Sequence, residues 1–170
     1  GCLDRHYETG KANRAFAEDR FVRLTPMAQF NNAWLSNPEK LVERAQDEPL
    51  DKLNQGRRNP CPSNPETWKA YFATLDRACE WSSEYVNINM DEMYQPGHGS
   101  RWNVCPLCRA RNLSGHELIA DAINRIHAYL KERGRKVMMI DSPLWQKGIS
   151  HAEDKENDWR KAARMIPTDI

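Results

Sequence analysis

Two adjacent carboxylates, Asp91 and Glu92, come shortly before a loop that contains Pro96 and Gly97. In such a pair, one group can protonate a leaving group while the other orients the substrate. Neighbouring residues of an extended strand point to opposite faces, so both groups can reach one substrate only where the chain bends. The pair therefore predicts acid-base chemistry if the loop of residues 93–99 supplies that bend, and a solvated turn if it does not.

The segment before this pair alternates between apolar and polar residues, as a β-strand with two different faces does. Its two sets of side chains are Val86, Ile88 and Met90 on one face and Asn87, Asn89 and Asp91 on the other. Three polar residues on one face favour a wet environment, such as the inner face of a barrel near its mouth. We therefore expect a central parallel strand whose apolar set packs against helices, while Asn87 and Asn89 face a substrate.

Helix and strand signals alternate along the rest of the chain. One helix has Pro65 and Glu66 in its first turn, and another opens with a capping box of Ser114 and Glu117 and ends at Gly134. The other segments are predicted as a weak helix over residues 5–18, a strand over 21–24, a helix beginning near Asn37, a loop over 46–64, and an apolar strand over 136–141 that is buried on both sides. This order predicts an α/β fold with a parallel sheet and right-handed crossovers.

Polar side chains follow three of the predicted strands, at residues 29–32, at Asp91 and Glu92, and at Asp141 and Ser142. The carboxyl ends of parallel strands meet at one rim, which is where folds of this class place their sites. The sequence therefore predicts that these three strand ends form a single pocket.

The bulk composition excludes several classes of function. Lys and Arg number 25 and Asp and Glu number 24, which gives a net charge of +1 and no electrostatic footprint for nucleic acid. No apolar run approaches the roughly 20 residues of a membrane span, so we expect no membrane-spanning helix. We also expect no signal peptide. The five cysteines are an odd number, which argues against a fully paired secreted scaffold.

Cys105 and Cys108 have the spacing of a zinc knuckle, a redox pair or a loop disulfide. A structural zinc site takes four ligands, and the sequence has no second pair with diagnostic spacing. A disulfide, two free thiols and a small metal-binding module all remain open, and we assign no metal and no cofactor to the site.

Three stretches resemble glycoside hydrolase family 20, the β-N-acetylhexosaminidases. Residues 59–93, NPCPSNPETWKAYFATLDRACEWSSEYVNINMDEM, resemble the segment that leads into the family's His-x-Gly-Gly-Asp-Glu signature. RLTPMAQFNN, residues 23–32, resembles the preceding strand, and YLKERGRKVMMID, residues 129–141, the next helix and strand. The resemblance implies a (β/α)8 barrel, which takes about 250 residues. Residues 1–170 would then be part of one catalytic domain. They would contain only the middle strands of the barrel, in about three βα units, and the other strands would lie in sequence that is missing here.

The resemblance also implies roles for individual residues in binding and cleaving a carbohydrate. Glu92 falls at the general acid, and Asp91 at the carboxylate that orients the substrate's acetamido group, which is itself the nucleophile. Asp141 falls at a strand-end acid that binds sugar hydroxyls. Trp102 and Trp145 lie in loops beyond strand ends, where an indole can stack on a sugar ring or simply pack.

The sequence departs from the family pattern at several positions of the signature. Asn89 and Met90 stand in place of the two glycines, Asn87 in place of the histidine, and Ile140 in place of a pocket-wall tryptophan. These changes keep the acid but alter its surroundings. A non-catalytic carbohydrate-binding relative is therefore the alternative to a glycosidase, and the metal-binding module is a third hypothesis.

Overall fold

The computed structural model describes residues 2–20, 23–28, 30, 62–90, 106–140 and 159–170. Within these residues the helices are α1 (Cys2–Glu18), α2 (Pro65–Trp81), α3 (Pro106–Ala110), α4 (Gly115–Glu132) and α5 (Trp159–Ala162), and the strands are β1 (Tyr85–Asn89) and β2 (Lys136–Met139). The helix predicted near Asn37 lies outside the described residues, as does most of the loop predicted over 46–64. No helix in the described ranges is both long enough and apolar enough to cross a membrane.

The ends of α4 follow the local signals in the sequence. The Ser114 hydroxyl accepts from the Glu117 amide at 3.3 Å, and the Glu117 carboxylate accepts from the Ser114 amide at 2.8 Å. At the other end Gly134 has a φ of 65°, and the Arg135 amide donates to the Leu130 carbonyl at 2.9 Å. The predicted capping box and glycine stop are therefore confirmed.

β1 lies between two parallel neighbours. On one side it pairs with β2, with Val86 opposite Val137 and Asn87 opposite Met138. On the other side Asn87 forms a parallel bridge with Met27, in which its amide donates to the Pro26 carbonyl at 2.9 Å. The prediction of a central parallel strand is confirmed for the described residues.

The strand predicted over residues 21–24 is displaced along the chain. Phe21 and Val22 lie outside the described residues, Leu24 is not in a strand, and the pairing with β1 occurs at Met27. Pro26 takes part only through its carbonyl, so its missing N–H costs no hydrogen bond. Because proline usually marks the end of a strand, the sequence pattern predicted a strand that ends before Pro26, whereas the pairing with β1 lies after it, at Met27.

One face of the sheet packs against α2 and α4. The buried residues that form this core include Tyr71, Leu75, Val86, Ile88, Met90, Leu118, Ile119, Ile123, Ile126, Leu130 and Val137. The prediction that the apolar set of β1 packs against helices is therefore confirmed. The Tyr71 hydroxyl donates to the Ala28 carbonyl, which ties the Met27 segment to α2.

The opposite face of the sheet is not covered in the same way. Met27, Asn87 and Met138 are paired side by side, so their side chains share this face, which we call the open face. Met27 is 62% exposed, Met138 is 42% exposed, and Ile140 after β2 is 40% exposed. The prediction that β2 is buried on both sides is wrong, because the described helices pack on the Val137 side alone.

Glu84 joins the amino ends of the three parallel segments. Its carboxylate accepts from Lys136 Nζ, at the start of β2, at 2.7 Å and also pairs with Arg23, before Met27. The side-chain hydrogen bond from Lys136, with the charges of Lys136 and Arg23, holds the pKa of Glu84 below its ordinary value. We call these three residues the Glu84 clamp.

The clamp predicts a pH dependence of stability. Since the pKa of Glu84 is lower in the folded protein, its stabilisation is present above the ordinary pKa and is lost as the pH falls through the folded value. Glu84→Gln should therefore flatten the acid side of a plot of unfolding free energy against pH, measured by urea denaturation. Lys136→Gln is the matched variant, and the double variant should lose no more than Glu84→Gln alone, because removing Glu84 already removes the pair with Lys136. An unchanged acid side in Glu84→Gln would contradict the clamp.

The contact of α1 with α2 depends on a glycine. A Cβ atom at Gly10 would lie 2.9 Å from two ring carbons of Trp81, closer than such atoms approach. Alanine favours a helix over glycine by about 1 kcal/mol, but overpacking costs about 1–3 kcal/mol. We expect Gly10→Ala to lower the free energy of unfolding, while Asn13→Ala on the exposed side of α1 should not. Increased stability of Gly10→Ala would show that α1 does not pack on Trp81.

Candidate active site

The predicted site residues fall into two groups in the structure. Asn87 and Asn89 lie within β1. The others lie outside the described residues: Asp91, Glu92, Trp102, Asp141 and Trp145. The described residues end at Met90, directly before Asp91, and at Ile140, directly before Asp141. The Ile140 amide donates to the Asn89 carbonyl at 3.1 Å. The two strand ends therefore lie side by side.

The chain bends sharply at the end of β1. Asn89 has a φ of 60° and Met90 a φ of 65°, so two successive residues adopt the left-handed conformation. Opposite β2, Asn87 pairs with Met138 and Asn89 with Met139, which leaves Ile88 as the extra residue of a bulge. The alternation expected from the sequence therefore stops at Ile88. This bend lies before the carboxylate pair, whereas the sequence predicted it in the loop of residues 93–99.

The side chain of Asn87 stabilises this bend. Its Oδ1 accepts from the Asn89 amide at 2.8 Å, the hydrogen bond of an Asx turn. Met90 adds a bond from its amide to the Ile88 carbonyl at 2.8 Å. Since Oδ1 is engaged in the turn, the amide hydrogens of Asn87 remain as donors on the open face.

By the resemblance described above, the two left-handed residues fall where the family 20 signature has its two glycines. Glycine adopts a positive φ without steric penalty, and asparagine does so more readily than other residues, whereas for methionine it costs about 1–2 kcal/mol. Met90 is fully buried, so its packing offsets this strain. The backbone turn is thus present although neither residue is glycine, and no local signal in the sequence indicated it.

Asn89 presents a buried polar atom. The residue is 9% exposed, and its Oδ1 has no hydrogen-bond partner within the described part of the chain. A buried acceptor without a donor costs about 1–3 kcal/mol, so such atoms are few in folded proteins.

The Cys-x-x-Cys motif is described in part. The Cys108 side chain is buried and its Sγ accepts from the Ser63 hydroxyl at 3.2 Å, whereas Cys105 lies outside the described residues. Over the described ranges, no three His, Cys, Asp or Glu side chains come together in a way that could hold a metal ion. The chemistry of this motif stays a prediction.

The solved structures that resemble the chain in fold include two of an exo β-N-acetylglucosaminidase. One is a GH20 exo β-N-acetylglucosaminidase from Vibrio harveyi in complex with N-acetylglucosamine, with a TM-score of 0.64 and 20% identity over 78% of this chain and 22% of that chain. The other is an inactive aspartate-to-alanine mutant of the Vibrio harveyi enzyme, with a TM-score of 0.64 and 18% identity over 82% of this chain and 23% of that chain.

At these identities the likeness shows the fold alone, and the chain spans less than a quarter of the length of these enzymes. No protein-family model and no curated protein matches the chain. The α/β class with parallel strands is therefore shown, and a closed barrel is not.

Proposed function

We propose that the protein is a glycoside hydrolase that acts on a β-linked N-acetylhexosamine or a related sugar by a retaining, substrate-assisted mechanism. The observation that carries this proposal is the left-handed turn of Asn89 and Met90 directly before Asp91 and Glu92. The turn ends the middle segment of a parallel sheet, in a fold that resembles two exo β-N-acetylglucosaminidase structures. In this proposal the chain supplies the middle strands of a (β/α)8 barrel.

The bend supports a shared target for the two carboxylates. In a strand that kept alternating, Asp91 and Glu92 would point to opposite faces. The bulge at Ile88 and the positive φ of Asn89 and Met90 interrupt the alternation just before them. We propose that the bend continues through the pair, so that both carboxylates reach one substrate.

The proposed reaction divides the work between the two groups. Asp91 holds the acetamido group so that its oxygen attacks the anomeric carbon, while Glu92 gives a proton to the leaving glycosidic oxygen. A water molecule, deprotonated by Glu92, then opens the cyclic intermediate. Two successive displacements at the anomeric carbon retain its configuration.

The neighbouring strand end supports a role for Asp141 in binding sugar hydroxyls. Asp141 directly follows Ile140, whose amide is bonded to the Asn89 carbonyl at 3.1 Å, and consecutive Cα atoms are only about 3.8 Å apart. In the proposal, Asn87 and Asn89 contribute amide groups to the same sugar, and Trp102 and Trp145 stack on it.

A carbohydrate-binding relative without catalysis is the second candidate. The observation that favours it is the fully buried side chain of Met90, at a position where the resemblance implies glycine and room beside the backbone. Such a protein would bind N-acetylglucosamine but would not turn over any glycoside.

Turnover of an aryl N-acetyl-β-glucosaminide by the full-length protein tests the two candidates. The glycosidase predicts release of an aryl alcohol of high pKa, a poor leaving group, that falls sharply in Glu92→Gln and is kept in Glu132→Gln, a control at the C-terminal end of α4. Binding of N-acetylglucosamine without any wild-type turnover would favour the second candidate, and neither binding nor turnover would reject both.

A further inference from the structure

A cavity of about 420 Å³ opens between the N-terminal parts of α2 and α4. Its lining includes Pro62, Pro65, Trp68, Arg111, Asp121 and Arg125. Among the described residues that line it, none belongs to β1 or β2. Its volume lies in the range of small-molecule sites, about 300–1,000 Å³.

The charges in this cavity do not cancel. The Asp121 carboxylate accepts from Arg111 at 3.0 Å, which neutralises that arginine. Arg125 follows Asp121 by four residues, the spacing of a helical ion pair, yet its guanidinium lies over the Trp68 ring instead, 4.6 Å from the ring centroid. Among the described residues no carboxylate lies within ion-pair distance of Arg125. Within the described part of the lining, Arg125 is therefore a cation that no carboxylate neutralises.

Trp68 holds this cation on a fixed platform. Its indole N–H donates to the Pro62 carbonyl at 2.8 Å, and its ring packs 5.1 Å from the Phe30 ring, centroid to centroid. A guanidinium stacked on an indole uses its flat face, so the N–H groups at its edge remain free. Such an edge matches the two oxygens of a carboxylate or a phosphate.

We propose that this cavity binds a small molecule in which an oxyanion, either a carboxylate or a phosphate, is joined to an apolar ring. Arg125 binds the oxyanion through its N–H edge. The rings of Pro62 and Pro65 provide the apolar wall, and the volume exceeds what an oxyanion alone would fill. Asp121 opposes binding, because its charge cancels that of Arg111.

The test follows the Trp68 indole N–H signal of the ¹⁵N-labelled protein, assigned by its loss in Trp68→Phe, during titration with phenyl phosphate, benzoate and inorganic phosphate. We expect a saturable shift with at least one ring-bearing probe, and the tighter of the two identifies the oxyanion. Arg125→Gln should weaken it about tenfold or more, the value of a charge-assisted pair. Asp121→Asn should tighten it several-fold.

Arg164→Gln is the control, because it changes the net charge equally at an exposed residue outside the cavity. Arg125→Lys keeps the charge without the planar edge, so it should also weaken binding and covers the case in which Arg125→Gln fails to fold. Absence of saturation with both ring-bearing probes, equal losses in Arg125→Gln and Arg164→Gln, or inorganic phosphate binding as tightly as phenyl phosphate would overturn the proposal.

Discussion

Replacing Glu92 by Gln is expected to lower the turnover of N-acetyl-β-glucosaminides with poor leaving groups by about 10²–10⁴-fold, because the amide keeps the shape of the acid but has no proton to give. The loss should be smaller for activated aryl glycosides, whose leaving groups need little protonation. The measurement is kcat/KM across a series of aryl leaving groups of increasing pKa for the wild type and the variant. The slope against leaving-group pKa should steepen in Glu92→Gln.

Asp91→Asn provides the contrast to this experiment. It disturbs the acetamido nucleophile rather than the leaving group, so its loss should be similar across the whole series. Equal losses across the series for Glu92→Gln would remove Glu92 as the general acid.

Replacing Asn87 by Leu is expected to lower kcat by about 10–10²-fold, since small displacements of catalytic groups have effects of this size. The Asn87 Oδ1 holds the Asn89 amide at 2.8 Å, and leucine offers that amide no acceptor. The turn before Asp91 and Glu92 would then lose its main side-chain support. The readout is the separate change in kcat and KM on an activated substrate.

Asn87→Asp is the matched rescue, because a carboxylate oxygen can accept from the same amide. It should restore most of kcat, and its negative charge should raise the pKa of Glu92. Since the acid must be protonated, the basic limb of the pH profile would move to higher pH. A rise in KM with unchanged kcat in Asn87→Leu would instead leave Asn87 with its proposed contact to the sugar and would reject its role as a support of the turn.

The parts of the fold that the sequence predicted well are those determined by residues close together in the chain. The capping box of Ser114 and Glu117 and the stop at Gly134 each depend on contacts within a few residues. The face of β1 that packs on helices followed from its alternation, since Val86 and Ile88 are fully buried.

The parts that could not be predicted depend on contacts across the chain. Methionine does not favour a positive φ, and Met90 adopts one in a place where its side chain is buried and the Asn89 carbonyl is bonded to Ile140. The pairing at Met27 follows a proline, which by itself predicts the end of a strand. The exposure of Met138 depends on which face the helices cover, and the composition of β2 does not encode that choice.

The Glu84 clamp has a consequence for how this protein can change over evolutionary time. It holds three parallel segments in register from their amino ends, using side chains of Arg23, Glu84 and Lys136. Asn89 ends β1 at the opposite edge, and Asp91 and Asp141 come directly after the described residues that follow β1 and β2 in the sequence. In the proposed glycosidase, substitutions there would exchange one sugar contact for another without loosening the sheet, because the sheet is fastened elsewhere. We therefore expect single changes at the carboxyl edge of this scaffold to alter which sugar it accepts.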